Sequence, residues 1–526
     1  MSKTRPLGAT TITRWLADGK ELALIDLREE EIFSRGHLLH ARSVPLSRLE
    51  LLFARMVPRR ATRVVLMDDG DGLVARASDI LARAGYTDLS YLDGGVGAWG
   101  RAGYELFTGV NVPSKAFGEF IEHASGTPSI SADELHQLMR QHVDMVVVDS
   151  RPFNEYRRVS IPGATNVPGA ELVYRIHDVA PSPDTLIVVN CAGRTRSIIG
   201  AQSLINAGVP NKVVALRNGT MGWHLAGLVC DSGKSARAPA PSLDGLTFAR
   251  AAAARVAERA GVERITREQL ESFRVDKDRT LYLLDVRDPD EYAAGHIAGA
   301  LSAPGGQLVQ TTDRYVGTLG SRLVLIDDME VRAVMTASWL KQMGWHEVFV
   351  LVDKGDAIAA PGSELLGTPA PAELQVTPEA LQKLLPAREA TVIDLSMSTT
   401  YRQGHIPGAW FAIRSRLKQA LAKIPLRGTV VLTSQHGVLA GLAQREAAEL
   451  CKLPVRVLAG GSAAWVAAGF AMEEKPHMGD EPIDVWLRPY ERTGDTAGAM
   501  REYLTWETDL LPRIERDGSC KFTRLL

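Results

Sequence analysis

The chain has 526 residues, of which 45% are hydrophobic and 23% are charged, and its formal net charge is -2. At about 150 residues per domain this length predicts three to four domains, and the near-neutral charge gives no support for a nucleic-acid-binding or membrane-surface protein. No apolar run reaches the roughly 18 residues of a membrane span, and the first residues lack the apolar stretch of a secretory signal.

The number and spacing of the cysteines indicate a reducing cellular compartment and no structural metal site. The four cysteines are far apart and contain no Cys-x-x-Cys pair, which disfavours a disulfide framework or a structural zinc site. We therefore expect a cytoplasmic protein that holds no metal and needs no cofactor.

One sequence unit occurs four times along the chain. Each copy contains an extended run that ends in an aspartate, followed by a short charged helix and then by Gly-His or a substitute for it. The aspartates are Asp26, Asp149, Asp285 and Asp394. A fixed internal period of this kind indicates an array of similar folding units.

Each copy then continues with an unbroken apolar run, at 64–67, 187–189, 323–326 and 430–432. Unbroken runs are typical of strands that are buried on both faces of a parallel sheet. In the first three copies a helical segment follows and ends near Gly85, Gly208 or Gly344, in agreement with a C-terminal glycine stop. Alternating strands and helices predict α/β domains.

The repeats and the stretches between them predict the domain limits. We expect domains at 1–110, 111–235, 246–368 and 373–475, with Pro/Ala-rich linkers at 235–242 and 368–372. The remaining residues, 476–526, do not match the repeat and are too aromatic for a disordered tail. We expect this extension to pack on the fourth domain.

Together these motifs resemble the rhodanese family of sulfurtransferases. The resemblance depends on Asp-x-Arg, Glu-Tyr and Gly-His-Ile-x-Gly-Ala, matched best at 285–300, on the cysteine loop at 191–197, and on Gly-Gly-x-x-x-Trp. It covers nearly the whole chain and implies four tandem domains. Each is expected to be a three-layer α/β/α domain with a central parallel sheet.

The resemblance implies that Cys191 is the catalytic nucleophile. It follows the apolar run at 187–189 by two positions and precedes a predicted helix start. Loop N–H groups, the helix N-terminus and two nearby arginines favour the thiolate and an anionic ligand, and a glycine lets the loop turn tightly. The expected substrate-binding residues are Ala192, Gly193, Arg194, Thr195, Arg196 and Ser197.

The other three copies lack this cysteine. Aligned on the first aspartate of each unit, Asp68, Asp327 and Ser434 occupy its position. A carboxylate cannot hold a persulfide, and the neighbouring acidic residues repel an anionic donor. We expect the first, third and fourth domains to be inactive in sulfur transfer.

The leading hypothesis is a thiosulfate sulfurtransferase that transfers sulfur to cyanide or a thiol through a Cys191 persulfide. Arg194 and Arg196 favour thiosulfate, while Ala192 stands where the family's thiosulfate loop usually has a basic residue, so 3-mercaptopyruvate stays open as donor. The alternative is a sulfur carrier or scaffold that delivers persulfide sulfur to a protein partner. A phosphatase is disfavoured because its longer loop needs arginine at the position of Ser197.

Several other polar residues have a structural interpretation. Asp149, Arg151 and Glu155 are expected to form a polar network beneath the loop, with a supporting role in catalysis as the alternative. His37, His296 and His405 recur at one repeat position and are expected to stabilise the fold. Trp223, Cys451 and Cys520 are expected to pack, as is Cys230, for which a disulfide with Cys191 or receipt of its sulfur is the alternative.

Overall fold

Each repeat forms a separate α/β domain in the computed structural model, which describes residues 4–356 and 364–525. The first domain contains β1 (Arg5–Leu7), α1 (Ala9–Ala17), β2 (Ala23–Asp26), α2 (Glu30–Arg35), β3 (Arg42–Ser43), α3 (Leu49–Met56), β4 (Val64–Met67), α4 (Leu73–Arg83), β5 (Leu89–Leu92) and α5 (Gly95–Arg101). The second contains α6 (Val112–Ser125), β6 (Ser129–Ile130), α7 (Ala132–Arg140), β7 (Met145–Asp149), α8 (Phe153–Arg158), β8 (Thr165–Asn166), α9 (Glu171–Val179), β9 (Leu186–Asn190), α10 (Thr195–Ala207), β10 (Val213–Leu216) and α11 (Gly219–Leu225).

The last two repeats follow the same plan. The third domain contains α12 (Leu243–Ala260), β11 (Glu263–Arg264), α13 (Arg267–Val275), β12 (Leu281–Asp285), α14 (Pro289–Ala294), β13 (Leu301–Ser302), α15 (Gly305–Gln310), β14 (Arg322–Asp327), α16 (Val331–Gln342) and β15 (Val348–Val352). The fourth contains β16 (Gln375–Val376), α17 (Pro378–Leu384), β17 (Ala390–Asp394), α18 (Ser398–Gln403), β18 (Trp410–Phe411), α19 (Leu417–Lys423), β19 (Thr429–Thr433), α20 (Val438–Leu450), β20 (Val455–Leu458) and α21 (Gly461–Ala467). The extension adds β21 (His477–Met478) and α22 (Thr496–Asp517).

The strand order is the same in all four sheets. It is β1-β5-β4-β2-β3, β6-β10-β9-β7-β8, β11-β15-β14-β12-β13 and β16-β20-β19-β17-β18, the last extended at its edge by β21. The strand pairings within these sheets are parallel. The predicted fold class, tandem α/β domains with central parallel sheets, is therefore confirmed.

Apolar side chains pack on both faces of each central strand, as the unbroken runs predicted. In β9 of the second domain, Ile187 and Val189 contribute to one buried cluster and Val188 contributes to another. Successive side chains of a strand point to opposite faces, so this sheet needs a helical layer on each side. The carboxyl end of β9 is thereby fixed between two packed layers.

The chain divides into two compact units. One comprises the described residues within 1–12, 23–110 and 363–487, and the other those within 13–22, 111–362 and 488–526. None of the helices within the described residues is both long and apolar enough to cross a membrane.

The expected packing of the extension on the fourth domain is wrong for most of its length. Residues up to 487 do remain with that domain, where β21 pairs with β18. Residues from Arg488 onward belong to the unit of the second domain, where α22 packs against α6. The reason is an apolar stripe on α22, with Met500 and Leu504 in one cluster with Ala192 and Met221 of the second domain.

Candidate active site

Cys191 is the first residue after β9, and its side chain is buried with 2% exposure. In the parallel pair of β7 and β9, Asn190 lies opposite Asp149, the repeated aspartate of this domain. Cys191 is the residue directly after Asn190. A short loop leads from it to Thr195, the first residue of α10. The thiol thus lies at the carboxyl end of a parallel sheet, the edge at which α/β proteins bind their ligands.

The loop carries main-chain donors without protein acceptors. The carbonyls of Cys191 and Ala192 accept hydrogen bonds from Thr220 N at 2.9 Å and Met221 N at 3.0 Å. By contrast, the N–H groups of residues 193–196 donate to no acceptor within the described part of the chain. These N–H groups lie at the N-terminal, electropositive end of the 13-residue helix α10. Such a helix end can bind an anion.

Gly219 allows the next strand-helix connection to approach the loop closely. Its φ is +52°, and a Cβ at this position would lie 2.2 Å from the carbonyl oxygen of Cys191. A Cβ on Gly95 would lie 2.7 Å from the carbonyl oxygen of Asp68, and a Cβ on Gly461 would lie 1.9 Å from that of Ser434. The glycine of this repeated turn is therefore required by packing against the loop.

Arg194 is held by carboxylates of α6. Its guanidinium donates to both oxygens of Glu119 at 2.7 Å and also to Glu122. Burial alone would lower the pKa of Arg194, but the hydrogen bonds and charge of Glu119 raise it above its ordinary value. The side chain keeps its charge, and its donors face these acids rather than an empty anion site.

Arg196 forms a second ion pair beside the cysteine. It donates from Nη2 to Glu155 Oε2 at 2.9 Å and from Nη1 to Gln307 at 3.0 Å, and a negative charge on Cys191 would favour the protonated form of its guanidinium. Burial would raise the pKa of Glu155, but the charges and hydrogen bonds of the surrounding arginines, Arg196 above all, lower it to about 2. Glu155 therefore contacts the loop itself and is not part of a pair with Arg151.

The remaining predicted loop residues have distinct contacts. Ser197 Oγ lies 3.5 Å from Cys191 Sγ and donates to the Arg194 carbonyl at 2.8 Å. Ala192 packs in the apolar cluster of Met221, Met500 and Leu504. The thiol thus has one hydroxyl neighbour and an apolar flank.

Asp149 and Arg151 form a buried ion pair that recurs in other domains. Arg151 Nη2 donates to Asp149 Oδ2 at 2.7 Å and to the Val159 carbonyl at 2.6 Å. The same pattern joins Asp26 to Arg28 and Asp285 to Arg287 in domains without the cysteine. The pair therefore supports the fold of each repeat, although Asn190 also donates to Asp149 at 3.0 Å beneath the loop.

The C-terminal segment supplies neighbours of the loop that the sequence did not indicate. A Cβ on Gly193 would lie 3.1 Å from Glu507 Oε2 and 3.4 Å from Tyr503 Cε1. Gly193 has no positive φ, so its role is this close approach of α22 and not the tight turn that was expected. The aromatic content of the extension indicated packing, but an amphipathic helix carries no signal for the surface that it covers.

Glu507 has no accessible surface, and its Oε1 atom takes up three contacts. Thr195 Oγ1 donates at 3.3 Å, Tyr503 OH donates at 2.9 Å, and Lys115 Nζ lies at 3.0 Å. Burial, followed by the charge of Glu507, raises the pKa of Tyr503 well above its ordinary range, so the phenol remains a donor. Oε2 has no hydrogen-bond partner among the described residues.

In the other domains the residue at the cysteine position caps its own loop. Asp26, Asp285 and Asp394 pair with the residues directly before Asp68, Asp327 and Ser434, which confirms the equivalence of these positions with Cys191. Asp68 accepts from Gly70 N and Val74 N at 2.9 and 3.0 Å. Asp327 accepts from Met329, Arg332 and Ala333 N, and Ser434 Oγ accepts from Ala440 N. The carboxylates take the donors that an anion would use.

The structural interpretations of the histidines, of Trp223 and of Cys230 and Cys451 agree with the structure. His296 and His405 bond through Nδ1 to carbonyls of their own helices and stack on tyrosines. His37 bonds the Leu38 carbonyl, and Trp223 is buried in the core. None of the four cysteines, all within the described residues, is in a disulfide. Cys230 packs against the Trp223 cluster.

The chain is similar to known proteins over its full length. The family model of the rhodanese-like domain matches residues 9–102, 131–226, 266–355 and 377–468. A crystal structure of thiosulfate sulfurtransferase from Pseudomonas aeruginosa is 46% identical with a TM-score of 0.96, and the match covers 99% of this chain and 100% of that chain. Thiosulfate sulfurtransferase of Azotobacter vinelandii is 26% identical over 34% of this chain and 79% of that protein. An HTH-type transcriptional regulator of Mycobacterium tuberculosis is 33% identical over 20% of this chain and 47% of that protein, less than half of its length.

Proposed function

Because this chain belongs to the rhodanese-like family, with four such domains, we propose that it is a thiosulfate sulfurtransferase with one catalytic centre, at Cys191. One observation carries the proposal. A thiol, rather than a capping carboxylate or hydroxyl, stands at the strand end, and the main-chain N–H groups of residues 193–196 have no acceptor among the described residues. The thiosulfate sulfurtransferase of Pseudomonas aeruginosa, 46% identical, supports the choice of donor.

The proposed reaction proceeds in two displacements. The Cys191 thiolate attacks the outer sulfur of thiosulfate, the sulfur–sulfur bond of thiosulfate breaks, and sulfite leaves with the bonding electron pair. The enzyme retains one sulfur as an anionic persulfide. Cyanide or a thiolate then attacks that sulfur, and the Cys191 thiolate is released as the leaving group, which is a ping-pong scheme through a covalent intermediate.

Residues 192–197 form the binding loop in this proposal. The N–H groups at the start of α10 stabilise the anionic donor and the persulfide, since donors that are already oriented stabilise developing charge without reorganisation. Arg194 and Arg196 form ion pairs with Glu119 and Glu155 that balance their charge, and through these pairs they hold the loop in position. The Cys191 thiol donates to Ser197 Oγ at 3.5 Å, and this hydroxyl in turn donates to the Arg194 carbonyl at 2.8 Å, so it has to rotate before it can donate to the thiolate.

A small acceptor fits this site better than a protein acceptor. Cys191 is only 2% exposed, and Tyr503 and Leu504 of α22 lie within 4 Å of the position that a Cβ on Gly193, two residues further along the loop, would occupy. A macromolecular thiol would have to displace that helix before it reached the persulfide. This burial favours an enzyme with small substrates over the carrier hypothesis.

Steady-state assays with thiosulfate and cyanide test the proposal. We expect thiocyanate formation in the wild-type protein and none with Cys191→Ser, while Cys451→Ser serves as the matched control and retains full activity. Mass spectrometry after thiosulfate exposure should find one added sulfur, on the peptide that contains Cys191. If 3-mercaptopyruvate supports turnover and thiosulfate does not, the donor assignment is wrong; persulfide formation without turnover on small acceptors would support the carrier instead.

A further inference from the structure

Glu507 brings a carboxylate from outside the domain to the catalytic loop. It lies on α22, and its Oε2 atom is 3.1 Å from the position that a Cβ on Gly193 would occupy. Its other oxygen accepts from Thr195, the first residue of α10. The carboxylate therefore lies beside the N–H groups of the loop, although it forms no hydrogen bond to them.

The negative charge of Glu507 is only partly offset by its neighbours. Lys115 is the cation in contact with it, at 3.0 Å from Oε1, while Oε2 has no partner in the part of the chain that the structure describes. The other charged groups around the loop are already paired with each other. They are Arg194 with Glu119 and Glu122, and Arg196 and Arg488 with Glu155. These side chains together supply as many carboxylates as cations, so they offer an incoming dianion no surplus of positive charge.

The domains without the cysteine indicate what a carboxylate does at this position. Asp68 and Asp327 accept main-chain N–H groups of their own loops, with distances of 2.8 to 3.3 Å. In the second domain the loop donors are left open, and the carboxylate beside them comes from α22. A negative group at that distance opposes a bound anion, and burial reduces the screening of that repulsion.

We propose that Glu507 is a specificity-determining residue of the Cys191 site: the charge of its carboxylate, balanced against Lys115, sets how strongly the loop binds anionic substrates. The inference rests on the proposed function for the identity of the substrate. The described geometry alone gives the direction in which each substitution changes anion binding. Removal of the negative charge strengthens anion binding, whereas removal of the partner cation weakens it. If Glu507 and Lys115 only stabilised the fold, removal of either charge would weaken anion binding.

The first test compares KM for thiosulfate in Glu507→Gln and Lys115→Gln. Glutamine keeps the acceptor for Thr195 and Tyr503 while it removes the charge. We expect KM to fall about fivefold in Glu507→Gln and to rise by about the same factor in Lys115→Gln, with kcat within about twofold. The matched controls, Glu502→Gln on the exposed face of α22 and Lys212→Gln on an exposed loop, should leave KM unchanged.

The second test does not depend on turnover. The rates of alkylation of Cys191 by anionic iodoacetate and by neutral iodoacetamide are followed by mass spectrometry of its peptide, and their ratio is compared between variants. The ratio cancels changes in thiolate fraction and in exposure that affect both reagents. We expect it to rise about fivefold in Glu507→Gln and to fall in Lys115→Gln.

The outcomes separate this inference from the proposed function. A wild-type protein without thiosulfate turnover overturns the proposed function, while the alkylation ratio still decides the role of Glu507. An unchanged ratio in both variants, or a fall in both, overturns the inference whatever the turnover. If Glu507→Gln does not fold, Lys115→Gln is compared with Lys115→Arg, which keeps the cation: a fall in the ratio that is confined to Lys115→Gln supports the inference, and an unchanged or raised ratio in Lys115→Gln, or an equal fall in both, overturns it.

Discussion

Glu155 accepts a hydrogen bond from each terminal nitrogen of Arg196: Nη1 donates to Oε1 at 3.2 Å, and Nη2 donates to Oε2 at 2.9 Å. The two side chains are 10% and 13% exposed. This bidentate pair joins the helix after the repeated aspartate to the first turn of α10. It therefore couples the electrostatics of the loop to the stability of the domain.

The first prediction concerns the acid dependence of stability. The pKa of Glu155 is lowered from its ordinary value of 4.5 to about 2, so its ionised form stabilises the folded state above pH 4.5, and that contribution is lost as the pH falls from 4.5 towards 2. Glu155→Gln should cost on the order of 3 kcal/mol at pH 7 and about 1 kcal/mol less than that at pH 3.5.

Urea unfolding of both proteins at the two pH values measures this difference, with near-ultraviolet circular dichroism as the signal of the folded state. Asp184→Asn, at an exposed carboxylate in a loop of the same domain, is the control. A cost that is the same at pH 7 and pH 3.5 would contradict the lowered pKa.

The second prediction separates the two loop arginines. The charge of Arg196 interacts with Cys191, whereas the donors of Arg194 are directed to Glu119 and Glu122. Arg196→Ala should therefore raise the thiosulfate KM by about fivefold, and Arg194→Ala by about twofold with the larger loss of stability. Initial rates and thermal melts measure both effects, and Arg217→Ala, at an exposed arginine, serves as control. Equal KM effects would contradict the assignment.

The third prediction concerns the loop of the third domain. Asp327 and Arg332 are both buried, and Asp327 accepts three main-chain N–H groups as well as the guanidinium. Asp327→Ala should destabilise the protein by about 3 kcal/mol, because it leaves a buried cation with one partner fewer, yet leave thiosulfate turnover within about twofold. Asp328→Ala, at a side chain that is 23% exposed, should have a smaller effect on stability. A large loss of turnover in folded Asp327→Ala would place a second catalytic centre in the third domain.

Much of the fold, and the position of Cys191 directly after a buried strand, could be predicted from the sequence. The apolar runs predicted the positions of the strands. The spacing of the repeated aspartates gave the alignment of the repeats in which Asp68, Asp327 and Ser434 are equivalent to Cys191, and the strand pairings agree with it. Both signals are local, since a strand that is buried on two faces must be apolar along its length.

The partners of the loop could not be predicted in the same way. Arg194 meets Glu119, 75 residues earlier in the chain, and Thr195 meets Glu507, 312 residues later. The arginines in the loop were expected to be available to bind an anion, because the sequence does not show which carboxylates pair with them. The aromatic content of the extension indicated burial but not the surface that it covers, and the extension was therefore expected on the fourth domain, its neighbour in the sequence.

The last prediction compares two glycines of positive φ in the second domain. At Gly219, φ is +52° and a Cβ would lie 2.2 Å from the Cys191 carbonyl oxygen, while at Gly227, φ is +76° and, apart from the two chain neighbours, none of the described residues has an atom within 4 Å of such a Cβ. Both alanine variants incur the left-handed backbone cost of about 1 kcal/mol, but Gly219→Ala must also displace the loop. Because a displacement of about 1 Å can cost two orders of magnitude in rate, kcat for thiosulfate should fall at least tenfold in Gly219→Ala and stay within about twofold in Gly227→Ala. Initial rates with cyanide measure kcat, and melting temperatures verify that both variants are folded. Equal kcat values in the two variants would mean that the contact between Gly219 and Cys191 does not set the position of the nucleophile.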